Sequence, residues 1–303
     1  MQLSLRMMKS FFKVIFLLAL TTSTKAQELR FGLQPIQYVS ETQGPYVDFY
    51  STLDASTIAF EMDADSIWHA RFKVALSFEG KVDVVRFEYT SEDSALSAPL
   101  MLQKSTFTFD DAKQEAKRPL EIFLYDEVSN SDWSFSDTLE YVASDFWLSQ
   151  PVLLDDVEEV PVNYVKRGVS VVPVASLGLP VFENESTLSM YTEAYVGNGK
   201  YILQYKLTDA YGNIIPGTSG FARCKTGSTP VYNKIDFSSQ KSGQYEYSIV
   251  MLDSTGQAVA ERSNPFYWYN DKADEAAWNG PEVSITRAVF ENGWGQWSQV
   301  NEY

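Results

Sequence analysis

Apolar and polar residues alternate with period two in stretch after stretch of this chain, and the same series of stretches occurs twice. Ala70, Phe72, Val74, Leu76 and Phe78 share one face of the run from Ile67 to Phe78, as do Tyr245, Tyr247, Ile249 and Met251 in a later run. Side chains of an extended backbone point alternately to opposite sides, so such runs predict strands with one buried face. Helices with a single apolar stripe need a period of about 3.6, and few long runs of that kind are present. Aromatic residues make up 15% of the chain, mostly phenylalanine and tyrosine, which favours strands further.

The clearest stretch runs from Thr187 to Ile215. Two alternating segments flank Gly197-Asn198-Gly199, a break whose residues tolerate positive φ, and a second turn follows at Asp209-Ala210-Tyr211-Gly212-Asn213. The pattern reads as a hairpin of two half-buried strands. A connection between two sheets would preserve the same alternation, so the pairing stays open.

A weaker copy precedes it. Tyr46 to Leu53 matches Leu188 to Tyr195, His69 to Phe78 matches Lys200 to Thr208, and Glu79-Gly80-Lys81 matches Tyr211-Gly212-Asn213. Phe107-Thr108-Phe109 then matches Ile235-Asp236-Phe237, and Leu120 to Asp126 matches Tyr247 to Asp253. Between the copies, Pro151, the acidic run Asp155-Asp156-Val157-Glu158-Glu159 and Pro161 interrupt any regular pattern, which places a boundary there. Short strands with turn signals at these intervals predict an all-β chain of two tandem Ig-like or fibronectin-like sandwiches, over 27–145 and 146–270, with an aromatic-rich tail over 271–303.

Residues 1–26 read as a secretory signal peptide. Arg6, Lys9 and Lys13 precede the apolar run Val14 to Leu20, and Thr24-Lys25-Ala26 supplies a small-residue cleavage site. The run is too short for a membrane span, so no transmembrane segment is expected in the mature chain. Removing the segment takes four basic and no acidic residues from totals of 24 and 40, leaving 20 against 40 and a net charge of −20. A surface this acidic repels phosphate backbones, which argues against nucleic acid as a partner. Cys224 is the only cysteine, so an intrachain disulfide and a thiolate metal cluster are both excluded.

Several segments resemble the β-rich N-terminal part of the GWxTD-domain family of exported bacterial proteins. They are Gly44-Pro45-Tyr46-Val47-Asp48-Phe49-Tyr50, Lys166-Arg167-Gly168 with Val172-Pro173, and Leu188 to Tyr195. The naming motif is absent: Gly293-Trp294-Gly295 begins like it, but Gln296 and Trp297 stand where threonine and aspartate belong. The resemblance implies an extracytoplasmic β-protein, either a truncated relative or a member lacking the later region. It carries over no functional residue.

Candidates for chemistry are sparse. His69 is the only histidine, and no Gly-x-Ser-x-Gly motif accompanies it. Cys224 has the basic neighbours Arg223 and Lys225, which could lower a thiol pKa, but without a histidine partner it reads rather as a small packing residue. Asp63 with Asp65, Asp110 with Asp111, and Asp155-Asp156 with Glu158-Glu159 are paired carboxylates, yet 40 acids produce such pairs by composition alone. No calcium-loop motif occurs. Among the tryptophans, Trp133, Trp147 and Trp268 read as core of a sandwich or as platforms for sugar rings, whereas Trp278, Trp294 and Trp297 lie beyond the last clear strand. A membrane β-barrel would need an even rhythm of hairpins that the two domain-sized copies do not provide. The expectation is a non-enzymatic, cofactor-free protein of the periplasm or cell surface. Its expected role is to bind another envelope protein or a glycan, or to serve as a structural part. The alternative is a carbohydrate-binding module that uses Trp278, Trp294 and Trp297.

Overall fold

The computed structural model describes residues 29–91, 99–109, 117–141, 144–157 and 162–277. The expected signal segment 1–26 and the acids Asp110, Asp111, Glu158 and Glu159 lie outside them. Within them nearly all regular structure is strand, as the alternation predicts.

The first half supplies eight strands: β1 (Phe31–Ser40), β2 (Gly44–Asp54), β3 (Glu61–Met62), β4 (Trp68–Phe78), β5 (Lys81–Ser91), β6 (Pro99–Thr108), β7 (Lys117–Asp126) and β8 (Ser131–Glu140). One sheet has the order β1-β2-β6; in the other, β4 lies between β5 and β7, β8 flanks β7, and β3 pairs the start of β4. Glu79 and Gly80 join β4 to β5 with φ of 55° and 74°, the left-handed geometry of a tight two-residue hairpin. Phe49, Phe78, Phe107 and Phe109 meet edge to face between the sheets, with ring centroids 5.4–5.9 Å apart.

The second half supplies β9 (Phe146–Leu148), β10 (Val152–Leu154), β11 (Val165–Lys166), β12 (Val169–Ser170), β13 (Val181–Glu183), β14 (Thr187–Val196), β15 (Ile202–Asp209), β16 (Gly220–Arg223), β17 (Gly227–Asp236), β18 (Gly243–Leu252) and β19 (Ala258–Tyr269). A short helix, α1 (Asp271–Ala277), follows. Here β14 lies between β17 on one side and β9 and β10 on the other, facing a sheet of order β13-β19-β18-β15-β16. Its core gathers Trp268, Phe237, Phe266 and Phe182.

β14 and β15 do not form a hairpin. β14 pairs β17, β9 and β10, and β15 pairs β16 and β18, so Gly197-Asn198-Gly199 carries the chain from one sheet to the other. Gly199 has φ 102°, a conformation side chains rarely adopt. β2 and β4 stand in the same relation in the first half, each in a different sheet.

The half-buried expectation also fails for β2 and β14, which are buried on both faces over most of their length. Val47, Phe49 and Leu53 face the first core, and Leu188, Met190, Ala194 and Val196 face the second. Tyr50 and Tyr191 point the other way, into a third cluster with Ile36, Tyr38, Val152, Leu154, Tyr164, Val171 and Val172. The sheets containing β2 and β14 thus pack back to back, giving four sheet layers with three apolar clusters between them.

Candidate functional site

The middle layer is where charge collects. Asp48 alternates with Val47 and Phe49 on β2, so its carboxylate points away from the first core and into the junction, fully buried. Its Oδ1 accepts a 2.6 Å hydrogen bond from Thr106 Oγ1 on the neighbouring β6. Its Oδ2 lies 2.7 Å from Lys166 Nζ and 3.3 Å from Lys104 Nζ. One carboxylate therefore holds two lysines from different halves of the chain.

Lys166 reaches this point from the small hairpin β11–β12, whose turn is Arg167-Gly168 with φ of 47° and 81°. Its ammonium donates to Tyr46 Oη at 2.9 Å and sits 3.9 Å from the centroid of the Tyr38 ring and 4.7 Å from that of Tyr46, within cation–π range. Arg167 faces the same cleft, with Nε 3.7 Å from Glu193 Oε2. The other oxygen of Glu193 accepts a 2.5 Å bond from Tyr191 Oη, and its backbone N–H donates to Ser149 Oγ. Lys104 also donates to the carbonyl of Asn163 at 2.6 Å.

Burial dominates the titration of these groups. Removal from water, the nearby charge of Lys166 adding to it, lowers the pKa of Lys104 despite the opposing pull of Asp48. Burial, then Glu193 and Asp48, pushes the Tyr46 phenol far above its ordinary value, and burial with Glu193 does the same to Tyr191. Tyr38 and Tyr50 are raised by burial and the Asp48 charge. These phenols are held neutral.

Above this network lies an open cavity of about 290 Å³ bounded by Ser40 and Gln43, Tyr46, Val165 to Arg167, and Glu193. Further hydrogen bonds cross the junction: Trp147 Nε1 donates to Gln37 O at 3.0 Å, and Ser228 donates through Oγ to Val39 O and through N to Glu41 Oε1.

The sequence-predicted candidates lie elsewhere. His69 Nε2 is 2.8 Å from Asp63 Oδ2, and Asp63 Oδ1 also accepts from the N–H groups of Asp65 and Ile67, so this β4 histidine braces the turn before its strand. Cys224 packs against the second core, and burial raises its pKa to about 11. Asp155 is raised by burial, and Asp156 lies 3.7 Å from Lys234. Trp268 is fully buried, Trp133 packs on the first core, and Trp147 belongs to the junction, with the Arg262 guanidinium 5.9 Å from its ring centroid. Trp278, Trp294 and Trp297 lie outside the described residues. Sequence reasoning missed Asp48, Lys104, Lys166 and Glu193 as a group. The one local signal was Lys166-Arg167-Gly168, two cations on a turn beside a glycine.

No protein-family profile and no curated protein matches the sequence. Among solved structures, the chain is similar to the fibronectin(III)-like modules of Clostridium thermocellum CbhA at 11% identity, covering 78% of this chain and 90% of that one, with a TM-score of 0.22. It is similar to a β-glucuronidase of Bifidobacterium dentium at 7% identity, covering 82% and 49%, with a TM-score of 0.28. A red sea bream transglutaminase is similar at 8% identity over 80% of this chain, which spans 32% of that protein, with a TM-score of 0.23.

Proposed function

We propose that the protein is exported and acts without catalysis in the bacterial cell envelope, as a binding or structural part whose partner is another envelope protein or a glycan. The observation that carries this reading is the two-sided burial of β2 and β14, which makes two sandwiches one rigid body and turns their outer sheets in opposite directions. Each outer sheet presents apolar side chains. Val84, Ala75 and Phe123 lie in a row across the first, and Phe221 and Val250 flank Gln204 across the second. Val84 and Phe221 are 59% and 67% exposed, more than a sheet facing only water needs. His69, Asp63 and Cys224, which chemistry would need, are spent on turns and packing.

Fractionation of the source cells tests the proposal. The protein should be recovered outside the cytoplasm with its N-terminus near Gln27, and crosslinking should capture an envelope protein or glycan. Recovery from the cytoplasm with residues 1–26 attached would sink it.

A further inference from the structure

The cavity over the junction has a composition the packing of two sandwiches does not require. Lys104, Lys166 and Arg167 face Asp48 and Glu193, which leaves one positive charge in excess in a chain whose total is −16. Asp48 is shared between two lysines, so the ion pairs do not balance, and an excess cation in an acidic chain favours an anion at this point. Arg167 is held with φ 47°, a costly conformation for a residue with a side chain, and 44% of that side chain is open to solvent. Among the described residues its ion-pair partner is Glu193, approached through Nε, so the forked end of the guanidinium is left for a ligand.

The remaining groups narrow the ligand. Gln43 on the rim supplies a donor and an acceptor suited to hydroxyl groups, and Tyr46 with Val165 supplies a flat apolar side. A volume of about 290 Å³ suits one ring rather than a chain. A single excess charge matches a monoanion, whereas a phosphate dianion would leave the cleft with one uncompensated negative charge. We propose that the cleft binds one hydroxylated carboxylate of monosaccharide size, a uronic acid, with its carboxylate on the open end of Arg167 and a hydroxyl on Gln43. This site is separate from the tryptophans of the tail and does not depend on the envelope role.

Calorimetric titration of the mature chain with galacturonate, galactose and galactose 6-phosphate tests the site. Galacturonate should saturate, with the neutral sugar and the phosphate each at least about tenfold weaker, a difference of about 1.4 kcal/mol. Arg167→Gln and Gln43→Ala, both on exposed turns, should each lose about tenfold with an unchanged near-ultraviolet circular dichroism spectrum, while Arg86→Gln, remote from the cleft, should leave binding intact. Absence of heat with galacturonate, equal binding of galactose, tighter binding of the phosphate, or full binding by Arg167→Gln would each overturn the proposal. None of these outcomes bears on where the protein resides, so the envelope reading is tested separately.

Discussion

Lys166 Nζ lies 2.7 Å from Asp48 Oδ2, joining the second half of the chain to the first with 8% and none of the two side chains exposed. Lys104 shares the same oxygen, so removing Asp48 strands two buried cations. Asp48→Asn should cost roughly 3–5 kcal/mol in urea unfolding, the range for breaking a buried pair. Glu140→Gln, which loosens the exposed pair with Lys117, should cost well under about 1 kcal/mol. Equal effects would remove the junction's claim to stabilise the fold.

Gly227 begins β17 with φ 83°, and a β-carbon there would strike the carboxylate of Glu41. Gly227→Ala should lose about 1–2 kcal/mol to the backbone conformation, with crowding added. Since the struck group is the end of a flexible side chain, Glu41→Ala should relieve only the crowding. Full rescue by the double variant would show that the backbone strain is absent.

Stability should fall at both ends of the pH scale. Asp209, Asp253 and Asp236 have folded pKa values lowered by side-chain and backbone hydrogen bonds, as does Asp63. A lowered folded pKa contributes stability above the unfolded value of about 4, and this is lost as pH falls through the folded values. The Asp253→Asn variant should show a shallower decline in urea midpoint over that acid range. At the alkaline end, Tyr38, Tyr46, Tyr50 and Tyr191 are raised by burial, so their contribution is complete below the unfolded value of about 10 and fades above it. Tyrosinate absorbance should therefore rise in step with unfolding for these four. Ionisation of all tyrosines before any loss of structure would refute this.

Cys224, with its pKa near 11, should react slowly with iodoacetamide at mildly alkaline pH in the folded protein and rapidly in urea. Rapid labelling of the folded state would contradict its burial.

The strands were legible because residues such as Phe72, Val74 and Leu76 alternate with polar neighbours and each needs only one buried face. The five matched segments fall at the same positions in the two sets of sheets, since β2 and β14 are both central and both give way to a strand of the facing sheet. What the sequence could not reveal is which strands pair across Gly197-Asn198-Gly199, because sheet-to-sheet and hairpin connections alternate alike. The outward row of β2 and β14 carries the acids Asp48 and Glu193, yet both are buried. The tyrosines between them, Tyr50 and Tyr191, were the clue that this side was not wet. The cleft itself assembles from β2, β6, the β11–β12 hairpin and β14, and no local spacing encodes that meeting.

The back-to-back junction also sets a limit on how the chain can be divided. Each half carries a full complement of strands for a free-standing sandwich, yet cutting between Tyr141 and Phe146 would bare Tyr38 and Tyr50 on one piece and Tyr191 on the other, and would separate Asp48 from Lys166. Two units that repeat in sequence are thus a single unit of inheritance. Neither half can be lost, swapped or expressed alone without the sticky face that its counterpart hides.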